Sequence, residues 1–292
     1  LFLLNAAFRG AGDAPVALRS LTLANAINIG LDPCLIFGLG PFPELGVTGA
    51  AVATTIGRGI GVIYLVNYLF GGNGRLHFEI RHLVPVPRLI LRLLRISVGG
   101  IGQFLISTSS WIALMRIVAL YGSAPIAAYT IALRLIEFAI LPAWGLGNAA
   151  ATLVGQNLGA DKPERAERSV WRASSYNAIF MTIAGIVMIV LAPQIVALFS
   201  DEPEVIRYGT SCLRILGVGY PMYAVGMIII QALNGAGDTT TPSIMNFICF
   251  WVLQIPLAYW LATAAGFGPH GVFFARVIAE SCLPVMSVAL LC

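Results

Sequence analysis

Arg9-Gly10-Ala11-Gly12-Asp13, near the start of the chain, returns 225 residues later as Asn234-Gly235-Ala236-Gly237-Asp238. The same offset aligns further positions: Phe42 with Phe267, Gly46 with Gly271 and Val47 with Val272. In both copies a long apolar run ends at a glycine turn, where glycine can take the left-handed conformation that closes a helix. A proline suited to a first helical turn follows each turn, at Pro15 and Pro242. The repeated unit is therefore predicted to be a helix, a tight turn and a second helix.

Composition places these helices in a membrane. Hydrophobic residues make up 58% of the 292 residues, charged residues make up 10%, and the mean hydropathy is +0.87. Soluble domains, by comparison, carry about 25% charged residues. The chain is therefore predicted to be an all-α polytopic membrane protein.

Eight apolar runs are long enough to cross a bilayer, which takes about 20 residues. They cover roughly residues 15–39, 46–70, 95–121, 124–156, 170–199, 205–233, 241–265 and 269–291. The turns between these runs alternate in charge along the chain. Those of one alternate set are together rich in arginine, whereas the turns of the other set contain Arg207 as their only strong base. Because positive charge favours the cytoplasmic side, we expect the Gly-Ala-Gly-Asp turns and residues 71–94 and 157–169 to be cytoplasmic. The expected location is the inner (plasma) membrane.

Other chemistries find little support in the sequence. The five cysteines lie in apolar segments and are expected to be packing residues rather than a disulfide framework: Cys34, Cys212, Cys249, Cys282 and Cys292. The histidines His77, His82 and His270 are predicted to lie in loops and form no metal-ligand spacing with those cysteines. No catalytic motif of an enzyme is present. Anionic lipid headgroups account for the net charge of +4, so no nucleic-acid partner is expected.

A third turn carries a more specific signature. It reads Gly155-Gln156-Asn157-Leu158-Gly159-Ala160-Asp161, followed by Pro163-Glu164-Arg165-Ala166. Together with the two Gly-Ala-Gly-Asp turns, and with Leu31-Asp32-Pro33 followed by Ile36-Phe37-Gly38, it resembles the multidrug and toxic compound extrusion (MATE) family of transporters.

This resemblance implies a two-lobe bundle of twelve helices, of which the chain supplies about eight complete ones, helices 5–12. Residues 1–70 would end the N-terminal lobe, residues 71–94 would form a cytoplasmic interlobe loop, and residues 95–292 would form the C-terminal lobe. Because the chain opens at Leu1 inside an apolar stretch, we expect it to be an N-terminally truncated fragment that lacks helices 1–3 and most of helix 4.

The resemblance also implies a function. Members of the family export small amphipathic, often cationic compounds in exchange for H⁺ or Na⁺ by alternating access, with no cofactor and no obligate protein partner. A flippase for lipid-linked precursors, from the same broad superfamily, is an alternative. A membrane-embedded enzyme or scaffold is a further alternative. An enzyme or scaffold of this kind would not need a lobe-scale repeat, so the observed repeat counts against it.

Ionisable side chains inside spans cost at least about 2.5 to 3.5 kcal/mol and therefore need an explanation. The candidates for ion coupling are Glu137, Asp32 and Glu280. Glu137 could instead form a structural pair with Arg134, three residues before it. For Glu280 the structural pair with Arg276 is favoured, because its sequence neighbours are small and apolar. Asp32 could stabilise the backbone before Pro33, or pair with Arg58.

The candidate substrate contacts are polar and aromatic residues of the later spans: Gln103, Trp111, Tyr129, Arg134, Tyr220 and Tyr223. Small polar residues also pack membrane helices together, and aromatic residues also anchor helices at the membrane interface, so a structural role stays open for each. One branch of the family has cation-binding acids on helices seven and ten. The corresponding spans here contain no Asp or Glu, which argues against a sodium site of that kind.

Overall fold

The computed structural model describes residues 1–291 except 73, 77, 78, 80, 81 and 83, and the described residues form helices and turns without strands. Within these ranges, eight helices are long and apolar enough to cross a membrane. The predicted all-α, polytopic fold is thereby confirmed. Two residues discussed above, His77 and Cys292, lie outside the described residues.

The helices follow one another along the chain, mostly through short turns. They are α1 (Phe2–Gly10), α2 (Ala14–Phe37), α3 (Val47–Phe70), α4 (Pro87–Ala119), α5 (Ser123–Gly159), α6 (Pro163–Ala197), α7 (Pro203–Gly235), α8 (Thr240–Asn246), a π-helical segment (Phe247–Gln254), α9 (Ile255–Thr263) and α10 (Pro269–Leu291). The stretch Thr240–Thr263 counts as one of the eight spans.

Two helices begin earlier than the predicted spans. The helix α4 begins at Pro87 rather than near residue 95, and α6 begins at Pro163 rather than near residue 170. Proline fits a first helical turn, since its fixed backbone angle suits the helix and its missing N–H is not needed there. The added residues include Arg88 and Arg92 in α4, and arginines together with glutamates in α6, so a search for uncharged apolar runs excludes them. His270, predicted to lie in a loop, is in the first turn of α10.

The chain divides into two compact units, Leu1–Pro87 and the residues from Arg88 onward. The first unit contains α1, α2 and α3. Its core joins Phe8 of α1, Val16 and Ala17 of α2, and Leu65 of α3. Tyr68 of α3 meets the ring of Phe8 edge to face, with ring centroids 5.9 Å apart.

The second unit contains the remaining helices. Its main core includes Tyr129 of α5, Met181 of α6, Leu213 of α7 and Phe273 of α10, each with an exposed fraction of 1% or less. The helices α5 and α7 approach closely at Gly235, where an added Cβ atom would lie 2.6 Å from the Cα atom of Ala151. The buried residues of α4 begin only at Ser110, so its first two-thirds stand away from this core.

The repeated turn has the same backbone in both units. Gly12 has φ of 88° and Gly237 has φ of 89°, a conformation that strongly favours glycine. The backbone N–H of Asp13 donates to the carbonyl of Phe8 (2.8 Å), and that of Asp238 donates to the carbonyl of Leu233 (3.0 Å). The predicted helix, turn and helix are therefore present in both copies.

The two turn aspartates differ in their side-chain contacts. Asp13 accepts a hydrogen bond from the backbone N–H of Arg75 (2.8 Å), in the segment after α3. Asp238 instead accepts hydrogen bonds from the backbone N–H groups of Thr240 and Thr241, both at 3.0 Å, and so caps the start of α8. Hydrogen bonds from the Thr241 side chain, and then from these backbone groups, lower the pKa of Asp238.

Candidate functional site

A cavity of about 580 Å³ lies inside the second unit. The helix α4 forms one wall, and α5, α7, the π-helical segment and α10 form the others. This volume is typical of sites for drug-sized ligands. The lining includes large aromatic side chains that are exposed in this unit, among them Phe104, Trp111 and Trp144. The cavity can therefore hold an amphipathic molecule of some size.

Polar contacts tie the first half of α4 to the repeated turn. The side chain of Gln103 donates to the amide oxygen of Asn234 (3.0 Å) and receives a hydrogen bond from the amide of Asn234 (3.2 Å). The hydroxyl of Thr239 donates to the carbonyl of Ile96 (3.2 Å), and an added Cβ atom at Gly99 would lie 2.6 Å from the Cβ of Thr239. These contacts fix one end of the cavity.

A second polar contact crosses the middle of the cavity wall. The hydroxyl of Ser110 on α4 donates to the side-chain oxygen of Gln254 (2.9 Å), and both side chains are buried. Gln254 is the last residue of the π-helical segment. Buried polar groups need such partners, because an unpaired one costs about 1 to 3 kcal/mol.

One ion pair lines the cavity. The Nε atom of Arg276 donates to Oε1 of Glu280 (2.9 Å), and the two side chains are 16% and 13% exposed. The Nη1 atom of Arg276 also donates to the hydroxyl of Tyr129 (3.3 Å), whose ring stacks on that of Phe273. The pair is thus held by α5 as well as by α10.

The pair that Glu280 was predicted to form with Arg276 is present, and residues distant in sequence surround it. Tyr220 and Tyr223 of α7 lie beside Arg276 and Glu280 around a small adjoining pocket. These tyrosines are nearly sixty residues away along the chain, so the sequence around Glu280 cannot reveal them.

Glu137 occupies a different environment. Its carboxylate lies 3.9 Å from the guanidinium of Arg134, and the two side chains are 68% and 76% exposed. Neither residue is among those that line the cavity. The structure therefore separates this pair from Glu280, although both acids lie in predicted spans.

Asp32 lies in the first unit. Its carboxylate accepts a hydrogen bond from the amide of Asn28 (3.2 Å), which also donates to Thr54 of α3 (3.3 Å). Arg58, one of the alternative partners considered for Asp32, places its guanidinium 5.8 Å from the ring centre of Phe2. Asp32 thus takes part in a polar link between α2 and α3 through Asn28, rather than in the alternative pairing with Arg58.

The predicted substrate contacts also separate into groups. Gln103, Trp111 and Tyr223 line the cavity. Tyr220 borders only the small adjoining pocket, and Tyr129 is fully buried beneath Arg276. Gln254 and Asn234 also line the cavity and were not among the predicted residues. Gln254 is a lone amide in a long apolar run. Because a polar side chain is costly inside a membrane, its position in such a run is the signal that could have identified it.

This polar, aromatic cavity lies within the part of the chain that matches a known family. The MatE family model matches residues 101–260, more than half of the chain. The chain belongs to the MatE family. Its MatE relatives include the probable multidrug resistance protein NorM of Thermotoga maritima, which is 29% identical over 258 residues and matches 87% of this chain. The probable multidrug resistance protein YoeA of Bacillus subtilis is 30% identical over the same length and share of the chain.

Solved structures agree with this MatE assignment. A transporter of the MOP superfamily from Pyrococcus furiosus superposes over 98% of this chain with a TM-score of 0.90 and 25% identity. The MatE chain spans 55% of the length of the Thermotoga relative, 56% of the Bacillus relative and 64% of the Pyrococcus chain. These relatives are described as multidrug resistance proteins or transporters rather than as enzymes.

Proposed function

We propose that the protein is a secondary active exporter of small amphipathic compounds, driven by an ion gradient and working by alternating access. The observation that carries this proposal is the cavity itself, which combines aromatic walls with one largely buried carboxylate, Glu280, inside membrane-spanning helices. The names of the curated relatives support multidrug export over the flippase alternative.

Glu280 is our proposed coupling acid. It lines the cavity and is largely buried, whereas Glu137 is exposed outside it and Asp32 lies in the other unit. A carboxylate in such a place can take up a proton when the cavity opens to one side and release it on the other. Loss of the negative charge would weaken the contact with Arg276, and this change could favour one state of the cavity over the other.

The choice of ion follows from the partner of Glu280. The guanidinium of Arg276 is already 2.9 Å from the carboxylate, in the place where a bound cation would lie. A sodium ion would add a second positive charge to this pair, whereas a proton would neutralise the carboxylate. We therefore propose H⁺ rather than Na⁺ as the coupling ion.

We also propose an orientation in the membrane and a division into two lobes. The one-sided distribution of arginine and lysine supports a cytoplasmic position for the Gly-Ala-Gly-Asp turns and for residues 71–94 and 157–169. The repeated turn supports two related lobes, with residues 1–70 in one, residues 71–94 as the connecting segment and residues 95–292 in the other. The last part of that segment, from Pro87, is the start of α4. The expected setting is the inner (plasma) membrane.

Transport into proteoliposomes under imposed gradients tests the function. With a permanently charged fluorescent dye, the protein should accumulate the dye on the acidic side of the membrane when a pH gradient is imposed. A sodium gradient at equal pH should produce no accumulation. Accumulation that requires ATP and no gradient would contradict an ion-driven exporter, and accumulation driven by sodium alone would contradict proton coupling.

A further inference from the structure

Four sulfur-containing side chains meet between the last two spans of the chain. Met245 of α8 and Cys249 of the π-helical segment are four residues apart, and so are Cys282 and Met286 of α10. Residues four apart lie on the same face of a helix. All four side chains pack in one core cluster, and none of them lines the cavity. Two pairs, each of one thiol and one thioether, thus form a sulfur cluster between neighbouring spans.

The contact between Cys249 and Met286 gives the geometry of this sulfur cluster. The thiol of Cys249 donates to the Sδ atom of Met286, and the two sulfur atoms are 3.6 Å apart. With metal–sulfur bonds of about 2.3 Å, two sulfur atoms at this separation subtend about 100° at a metal ion between them. This angle is close to the tetrahedral one, so a metal ion could bind both atoms with little movement of either helix.

We propose that the sulfur cluster is a binding site for a soft monovalent metal ion, Cu⁺ or its analogue Ag⁺. Thiolate and thioether sulfur atoms are the ligands that select Cu⁺ over harder ions. Zinc instead takes thiolate, imidazole and carboxylate ligands. Within the described residues, no group of three His, Cys, Asp or Glu side chains could hold a metal ion. The two thioethers therefore decide the class of metal.

Charge balance also favours a monovalent ion. The sulfur cluster lies within two helical stretches that are long and apolar enough to cross a membrane, where an uncompensated charge is costly. When Cu⁺ binds, the thiol proton of Cys249 leaves to the solvent and the thiolate bonds to the metal. The other three sulfur atoms bind as neutral ligands. One Cu⁺ ion and one thiolate then form a site without net charge.

The sulfur cluster is open on the side of α10. Cys282 and Met286 are partly exposed, whereas Met245 and Cys249 are buried, with exposed fractions of 1% or less. The ion would meet the partly exposed pair first, and the buried pair would then enclose it. Because this site is separate from the cavity and from Glu280, it goes beyond the proposed exporter function. Its failure would leave that function untouched.

Competition for Cu⁺ tests the site. The purified protein in nanodiscs is titrated without oxygen against the coloured complex of Cu⁺ with bicinchoninate, and loss of colour measures transfer of the ion to the protein. We expect the wild-type protein to take up Cu⁺, Ag⁺ to displace it, and Zn²⁺ to leave it bound. Absence of transfer, or displacement by Zn²⁺, would overturn the proposal.

Three variants assign the ligands. Cys249→Ala removes the thiolate, and Met286→Leu removes a thioether at nearly constant volume. Loss of an outer partner of a metal ligand costs about 10- to 100-fold in affinity, so loss of either ligand should weaken Cu⁺ binding by at least about tenfold. Cys212→Ala should bind as the wild-type protein does, because Cys212 is equally buried but no second described cysteine joins its core.

Two results with these variants would overturn the proposal. Wild-type affinity in Met286→Leu would show that thiols alone bind the ion. An equal loss in Cys212→Ala would show that binding is not specific to the sulfur cluster.

X-ray absorption at the copper K-edge tests the site in the wild-type protein, so it does not depend on whether Cys249→Ala folds. We expect a first shell of at least three sulfur atoms, at about 2.3 Å from the copper. Nitrogen or oxygen ligands, or a shell of only two sulfur atoms, would contradict a site built from thiols and thioethers together.

Discussion

Gln103 and Asn234 face each other across the junction of α4 with the repeated turn, and their amides exchange two hydrogen bonds of 3.0 and 3.2 Å. Asn234 stands where the first copy of the turn has Arg9. The second copy thus uses this position to hold α4. We expect Asn234→Ala to lower the free energy of unfolding by about 1 kcal/mol.

Thermal unfolding in detergent measures this effect, with an expected loss of about 2–4 °C in Tm. Asn148→Ala is the matched control, because the amide of Asn148 donates only to the carbonyl of Trp144 in its own helix. Equal losses in the two variants would show that the link between α4 and the turn does not contribute to stability.

Close packing of α5 on α7 leads to a second prediction. A Cβ atom added at Gly235 would lie 2.6 Å from Cα and 2.7 Å from the carbonyl carbon of Ala151, and backbone atoms cannot rotate away as a side chain can. Gly235→Ala should therefore destabilise the protein by about 1 to 3 kcal/mol. Gly145→Ala, at a position of α5 with open space around it, should leave Tm unchanged or raise it slightly. Equal Tm values for Gly235→Ala and Gly145→Ala would contradict this prediction.

Glu280 and Glu137 give a matched test of ion coupling. Glu280→Gln should abolish dye transport driven by a pH gradient, because the largely buried carboxylate that lines the cavity is lost. Glu137→Gln should retain transport, because this side chain is 68% exposed and lies outside the cavity. Transport is measured in proteoliposomes that contain equal amounts of each variant. Loss of transport in Glu137→Gln alone would assign coupling to Glu137 instead.

Asp238 gives a prediction about pH. Hydrogen bonds from Thr241 and Thr240 hold its pKa in the folded protein below the ordinary value of about 3.8. The ionised form is therefore favoured by folding, and its stabilising effect is complete above that value and is lost as pH falls below it. The difference in Tm between the wild-type protein and Asp238→Asn should be constant at neutral pH and shrink below about pH 4. Since this side chain is partly exposed, the effect should be small, and a difference that grows in acid would contradict it.

The predicted orientation can be tested by cysteine labelling. Ala160, in the third turn, and Asp201, in an opposite turn, are both exposed. In intact cells, a membrane-impermeant maleimide should label Asp201→Cys but not Ala160→Cys. Ala160→Cys should be labelled only after the membrane is permeabilised. The unsubstituted protein is labelled in parallel, so that labelling of its native cysteines can be subtracted. The reverse pattern would invert the proposed topology.

Local patterns predicted much of the fold. The glycine turn at Asp13 and Asp238 and the eight apolar spans follow from composition and spacing, because turn geometry and bilayer thickness act on neighbouring residues. The helix starts at Pro87 and Pro163 were missed, since charged residues follow both prolines, although proline favours the first turn of a helix. Proline at the start of a charged stretch would have been the better signal.

The candidate site was less predictable, because it joins residues far apart in the chain. Arg276 and Glu280 are one turn apart and could be paired from sequence. The contact of Arg276 with Tyr129, however, spans 147 residues. Glu137 and Glu280 look alike in sequence, and only the packing of helices separates an exposed acid from one that lines a cavity.

The π-helical segment has a consequence for how the cavity wall could change. Its eight residues, Phe247–Gln254, are wound more loosely than their flanking α-helices, with hydrogen bonds to the fifth residue rather than the fourth. Rewinding this stretch to the tighter form would turn Gln254 by the angle that one residue subtends, about 100°. The amide would then swing away from Ser110, so a local change of winding could open that side of the cavity.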